Sequence, residues 1–217
     1  MPLSPLIFAR IRTEAPSPRI ITLHGCNQSA RDVQDYGLAA APSGCILGLE
    51  ASKGVFVGHT IAGYSWFVGP LDHPAPVFFG DSLSNIERFL WDEIDRQQAD
   101  QAELPFLLGV EQGAIMALAT AAAVPDLLSG VIAIDGAFPL VPGWDPPLAP
   151  LNRLPVLLLD TPLANAGTQA LRGEALVETF RSWDADVTYC GTSQTIPAAD
   201  MTRWLHARSI RTLAKAL

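Results

Sequence analysis

The chain is poor in cysteine and in basic residues, and it has no long uninterrupted apolar run. Its three cysteines, Cys26, Cys45 and Cys190, are widely spaced. They suggest neither a metal site nor a disulfide framework. Only 14 Lys and Arg stand against 22 Asp and Glu, a formal net charge of -8. An acidic chain without a basic cluster repels phosphate backbones, which argues against a nucleic-acid partner. No apolar stretch approaches the roughly 18 residues that span a bilayer, so no membrane association is expected. The start, Met1 to Arg10, lacks the basic and long apolar regions of a signal peptide, and a cytoplasmic location is the expectation. Histidine is scarce too: His24, His59, His73 and His206 are all there is for imidazole chemistry.

What is present reads as one globular domain over 1–217. With 49% apolar and 17% charged residues, 217 residues suffice for a single well-buried core. Near-continuous apolar runs at 19–23, 45–49, 105–110, 130–134, 155–159 and 186–189 predict strands buried on both faces. Between them, 29–40, 82–96, 112–124, 168–183 and 197–214 read as helices. The alternation predicts an α/β fold, a mostly parallel central sheet with helices on both faces. The stretch 51–81 holds several Gly and Pro residues and reads as a loop of a length that often carries function, and 138–150 is a second, Pro-rich excursion.

The most informative stretch is Gly109-Val110-Glu111-Gln112-Gly113, where a buried strand passes into a helix. Glycines two residues either side of the central residue let strand and helix approach closely, as a nucleophile elbow requires. The central residue is then displayed at the carboxyl end of the strand, where open α/β sheets bind ligands. Other segments agree in order and spacing: Leu23-His24-Gly25, Tyr64-Ser65-Trp66-Phe67, the run from Pro155 to Asp160, and Trp204-Leu205. Together these resemble the phospholipase/carboxylesterase branch of the α/β-hydrolases over nearly the whole chain from about residue 19.

The resemblance implies an α/β-hydrolase fold and a triad of serine, acid and histidine, and the chain departs from it at each position. Glu111 stands where the nucleophilic serine is expected. The acid position falls on Ala164 or, with a shift of one residue, Asn165, and the histidine position on Gln194. A serine mechanism needs a base to take the hydroxyl proton and an acid to orient that base. The resemblance also places an oxyanion hole on the backbone amides of Cys26 and Gln112. Amide donors do not depend on side-chain type, so the hole can outlast the triad.

Further candidates compete with plainer roles. Glu111 either works as an acid or base or accepts hydrogen bonds from the following helix as a plug. Asp135 ends a strand and either joins the site or caps the turn before Gly136. His59 and His73 lie in the loop that the resemblance puts beside the site, as substitutes for the missing base or as solvated residues. Tyr64 and Trp66 either line a substrate pocket or belong to the core. No metal ligand set and no cofactor motif is present. The expected partner is a small molecule, and a homodimer stays open.

Three functions follow. In the first, Glu111 is the general acid or base of a lyase, isomerase or cyclase, chemistry that needs proton transfer and a polarised carbonyl but no covalent intermediate. In the second, the chain is a non-catalytic pseudoenzyme that binds a ligand or partner. In the third, Glu111 is the carboxylate nucleophile of an esterase-like hydrolase, which needs a histidine to release its ester intermediate.

Overall fold

The computed structural model describes residues 7–12, 18–97, 101–161, 171–191, 198–208 and 210–214. In chain order the strands are β1 (Ile7–Arg12), β2 (Arg19–Leu23), β3 (Cys45–Glu50), β4 (Lys53–Val57), β5 (Thr60–Ser65), β6 (Gln101–Glu103), β7 (Phe106–Val110), β8 (Gly130–Ile134), β9 (Pro155–Asp160), β10 (Asp186–Gly191) and β11 (Thr212–Ala214). The helices are α1 (Gln34–Ala40), α2 (Pro76–Arg96), α3 (Gln112–Ala123), α4 (Gly173–Ser182) and α5 (Ala198–His206). Among the described residues, seven strands form the central sheet in the order β1-β3-β2-β7-β8-β9-β10. All its pairs are parallel except β1 with β3.

Successive side chains of a strand point to opposite faces, and here both faces are apolar. Ile21, Leu23, Leu47, Leu107, Val131, Val156 and Leu158 face a core shared with Phe79, Phe89, α3 and Phe180. Their neighbours Ile20, Ile46, Leu108, Val110, Ile132, Ile134 and Leu157 face a second core with Val33, Met201, Trp204 and Leu205. Two-sided burial is why these strands read as unbroken apolar runs. Helix α3 lies deepest, buried all round from Gln112 to Ala122. In α2 the apolar positions Phe79, Ile86, Phe89, Leu90 and Ile94 follow helical spacing. Its buried Glu93 is satisfied by Arg19 at 2.7 Å and Arg96 at 3.0 Å.

The stretch 51–81 is not the loop its glycines suggest. It folds into the antiparallel pair β4–β5 around Gly58, which has φ of +62°, and α2 starts at Pro76 rather than at 82. Proline fits the first turn of a helix because that N–H has no intrahelical partner. At the other extreme, α5 ends at His206, not 214, and the chain leaves it to pair Thr212 with Glu103 in β11 and β6. The first helix is also shorter than 29–40. The Asp32 carboxylate accepts from the Ser29 amide and hydroxyl, at 2.7 and 2.8 Å, and closes a turn before α1 begins. No described helix is long and apolar enough to cross a membrane.

Candidate active site

Glu111 joins β7 to α3 in a conformation side chains rarely adopt, with φ 50° and ψ -109°. Its backbone N–H donates to Ile134 O at 2.9 Å and its carbonyl accepts from the Ile115 amide at 3.1 Å, so the turn is pinned on both sides. The flanking glycines are required by space. A Cβ on Gly109 would lie 2.5 Å from the Ala114 nitrogen and closer still to the Gly113 carbonyl. One on Gly113 would lie 2.6 Å from His24 O and closer still to the carbonyl of Leu23. The elbow spacing seen in the sequence therefore corresponds to real contact between β2, β7 and α3.

The Glu111 side chain is exposed and does not cap α3. It has no hydrogen bond or ion pair among the described residues. Its carboxylate hangs over the loop after β2, where a Cβ on Gly25 would stand 3.0 Å from Glu111 Oε2. In that loop the Gly25 amide donates to Gln28 Oε1 at 2.7 Å and the Asn27 amide to Tyr64 O at 2.9 Å. The amide between them, Cys26, has no acceptor among the described residues, and neither has the Gln112 amide that opens α3.

The loop is held from below by a buried polar lattice. Gln112 turns its side chain away from the site, accepting from the Trp66 amide at 2.7 Å and the Ser65 hydroxyl at 3.0 Å, and donating to Phe67 O at 3.0 Å. Trp66 is fully buried and its indole N–H donates to His24 O at 2.9 Å. Tyr64 pairs through its backbone with Gln28. Tyr64 thus meets the site from β5, which props the loop, and Trp66, just beyond β5, from inside the core.

His24 is fully buried and belongs to the same lattice. Its Nε2 accepts from the Ala51 amide at 3.0 Å, so its proton sits on Nδ1, 2.7 Å from Gly25 O. Burial, partly opposed by the bond to Gly25, holds its pKa below the ordinary 6.5. The unfolded chain therefore binds this proton more readily than the folded one. The His24 contribution to stability is complete above 6.5 and is lost as pH falls toward the folded value. Urea midpoints are expected to drop between about pH 7.5 and about pH 5.5, and less steeply in His24→Gln. Equal slopes for the two proteins would show that His24 is not held neutral.

Asp135 ends β8 with φ of 53°. Its two oxygens accept from the Thr161 amide at 2.6 Å and hydroxyl at 2.9 Å, tying the exits of β8 and β9 together. Asp160 at the end of β9 accepts from the Tyr189 hydroxyl at 3.0 Å. Burial raises the Asp160 pKa; the Tyr189 bond counters it, Asp135 adds to it and Arg172 opposes it. Three neighbouring strands thus end in Glu111, Asp135 and Asp160. Tyr36 of α1 also belongs here, a residue no sequence spacing singles out. Its phenol is pushed up by burial, then by the charges of Asp135 and Glu111.

His59 sits exposed at the tip of the β4–β5 hairpin, and the half-exposed His73 lies 3.4 Å from Asp72. Neither is bonded to Glu111 among the described residues. Ala164, Asn165 and Gln194 lie outside the described residues. Among those described, no group of three His, Cys, Asp or Glu is arranged to hold a metal ion.

The overall fold recurs in solved structures. A carboxylesterase from Mesorhizobium loti superimposes with a TM-score of 0.78 at 15% identity, over 93% of this chain and 95% of that one. The Bacillus cereus carboxylesterase gives a TM-score of 0.70 at 14% identity, over 91% and 90%. The chain has the α/β-hydrolase fold. No protein-family model matches the sequence, and no curated protein does either.

Proposed function

We propose that the protein is a small-molecule enzyme that moves protons, with Glu111 as general acid or base where the fold otherwise displays a serine. The observation that carries this is an ionisable, unbonded carboxylate lying over a loop whose Cys26 amide, like that of Gln112, has no acceptor among the described residues. A carbonyl oxygen bonded to those amides is polarised, and Glu111 takes a proton from the carbon beside it. The resulting enolate charge falls on the same amides. Some lyase, isomerase and cyclase reactions use that step and form no bond between substrate and enzyme. The plug reading of Glu111 loses its support, because the carboxylate accepts nothing from α3.

The test is proton exchange. Small ketones, keto acids and thioesters are incubated in D2O with the protein and with Glu111→Gln, and deuterium uptake is followed by mass spectrometry. Exchange by the wild type alone is the expected result. If no compound exchanges or is converted, the non-catalytic binding reading replaces this one.

Esterase-like hydrolysis, with Glu111 as nucleophile, is the second reading, favoured by the likeness to carboxylesterases. It requires a histidine to activate water, and neither His59 nor His73 is bonded to Glu111 among the described residues. No nitrophenolate release from p-nitrophenyl esters is expected. Release that disappears in Glu111→Ala would install the nucleophile in place of the base.

A further inference from the structure

Arg172 stands apart from the other charged residues of the fold. Its Nε and both Nη atoms are buried, and none has a hydrogen-bond partner among the described residues. Other arginines lie against carboxylates: Arg19 on Glu93 at 2.7 Å, Arg208 on Asp186 at 2.6 Å, and Arg203 on Asp200 at 2.9 Å. A buried guanidinium is costly unless paired, and its fork of donors matches the two oxygens of a carboxylate.

Its place in the fold is fixed by its neighbours. Leu171 bridges to Phe138, whose amide donates to Leu171 O at 2.9 Å. Arg172 therefore stands at the carboxyl edge of the sheet, three residues of chain beyond Asp135 being enough to reach the bridge. Its charge is felt by Asp160 at the end of β9, yet the two form no ion pair. Both Asp135 oxygens hold Thr161, and Asp160 accepts from Tyr189 with Oδ2, leaving Arg172 bonded to neither carboxylate. Neighbouring strands lie about 4.8 Å apart, so Glu111 after β7 and Asp160 at the end of β9, the carboxylate that feels Arg172, are separated by about 10 Å. A compact molecule spans that distance.

We infer that Arg172 is an anion-binding residue of this site and that the substrate carries a carboxylate, which the guanidinium holds while its carbonyl end lies at Glu111. The substrate class rests on the proton-transfer reading; the binding of a carboxylate at Arg172 does not. A single negative charge is favoured over a phosphate dianion because Glu111, Asp135 and Asp160 already crowd this edge with acid groups.

Benzoate and acetate serve as monoanionic probes, with benzamide as the uncharged control. The Nε–H resonance of Arg172 is followed in 15N-labelled wild-type protein, and affinities are measured for the wild type, Arg172→Gln, Arg172→Lys and Glu111→Gln. The expected result is a saturable shift of the Arg172 resonance with a carboxylate and none with benzamide. Affinity is expected to fall about ten- to hundredfold in Arg172→Gln, with partial retention in Arg172→Lys. It is expected to hold or tighten in Glu111→Gln, where one repelling charge is gone.

No saturable carboxylate binding to the wild type would overturn the inference. So would equal affinity in Arg172→Gln, or an Arg172 resonance that does not respond; either would assign the guanidinium to a structural partner within the protein. If Arg172→Gln does not fold, the wild-type resonance decides alone. Carboxylate binding lost in Arg172→Gln, combined with exchange unaffected by Glu111→Gln, keeps this site and removes the proton-transfer reading.

Discussion

Gly113→Ala is expected to destabilise the protein by more than about 3 kcal/mol, beyond ordinary overpacking of a core. The added methyl group would stand 2.6 Å from His24 O and nearer to the Leu23 carbonyl. Those atoms are backbone of a central strand and the loop it feeds, bonded to β3 and β7 on either side. They cannot rotate away as a side chain would, so α3 must lift from the sheet. That helix is buried all round, and its displacement opens the core on that face. For a chain of this size the loss corresponds to a fall in Tm of roughly 6–12 °C. Gly80→Ala supplies the internal contrast. Gly80 lies inside α2 with nothing within 4 Å of its would-be Cβ, and alanine there is expected to stabilise by about 0.5–1 kcal/mol. Thermal melts of the two variants check both. An unchanged Tm for Gly113→Ala would mean that strand and helix do not meet as closely as described.

That contact also explains what the sequence could reveal. Gly109 and Gly113 are legible because a steric demand within five residues leaves a local mark. The central strands are legible because each residue is apolar on whichever face it points to. Other parts leave no such mark. The β4–β5 hairpin is hidden by Gly54, Gly58 and Gly63, which resemble loop punctuation. A Cβ on Gly63 would in fact meet the Asn27 backbone, so this glycine marks packing of the hairpin on the loop after β2. The ends of α4 and α5 fall short of their amphipathic patterns because the chain is drawn into other pairings, as at Arg211, whose amide donates to the Ser129 hydroxyl.

Site residues supplied by distant elements are the hardest to read. Asp135 resembles a turn residue in the sequence, and its partner Thr161 lies 26 positions away. Tyr36 is an ordinary amphipathic-helix tyrosine until α1 sets it in the field of Asp135 and Glu111. Arg172 precedes a helix like many surface arginines, and only its buried nitrogens, unpartnered among the described residues, set it apart. Glu111 is legible as a substituted residue in a motif; the groups around it require the tertiary structure.

The Glu111 position is where stability and function are expected to part. A carboxylate that transfers a proton in the rate-limiting step contributes about 10²–10⁴ in rate, so Glu111→Gln should lower exchange of a responsive carbonyl compound by that factor. The amide keeps the shape of the side chain and the backbone at φ 50° and ψ -109°, leaving the fold and the melting temperature nearly unchanged. Glu111→Gly removes the same carboxylate and, with it, the Cβ that this backbone conformation strains. Strain of this kind is worth about 1–3 kcal/mol, so the glycine variant should be as inactive as Glu111→Gln and yet melt several degrees above the wild type. A protein retaining a strained glutamate, unpartnered among the described residues, for no purpose would gain from its removal and lose nothing. Exchange activity that falls equally in both variants, with stability rising only in the glycine one, would identify the carboxylate as the reason the strain is kept. Unchanged activity in both would leave the elbow a relic of the fold, and the site a place for binding alone.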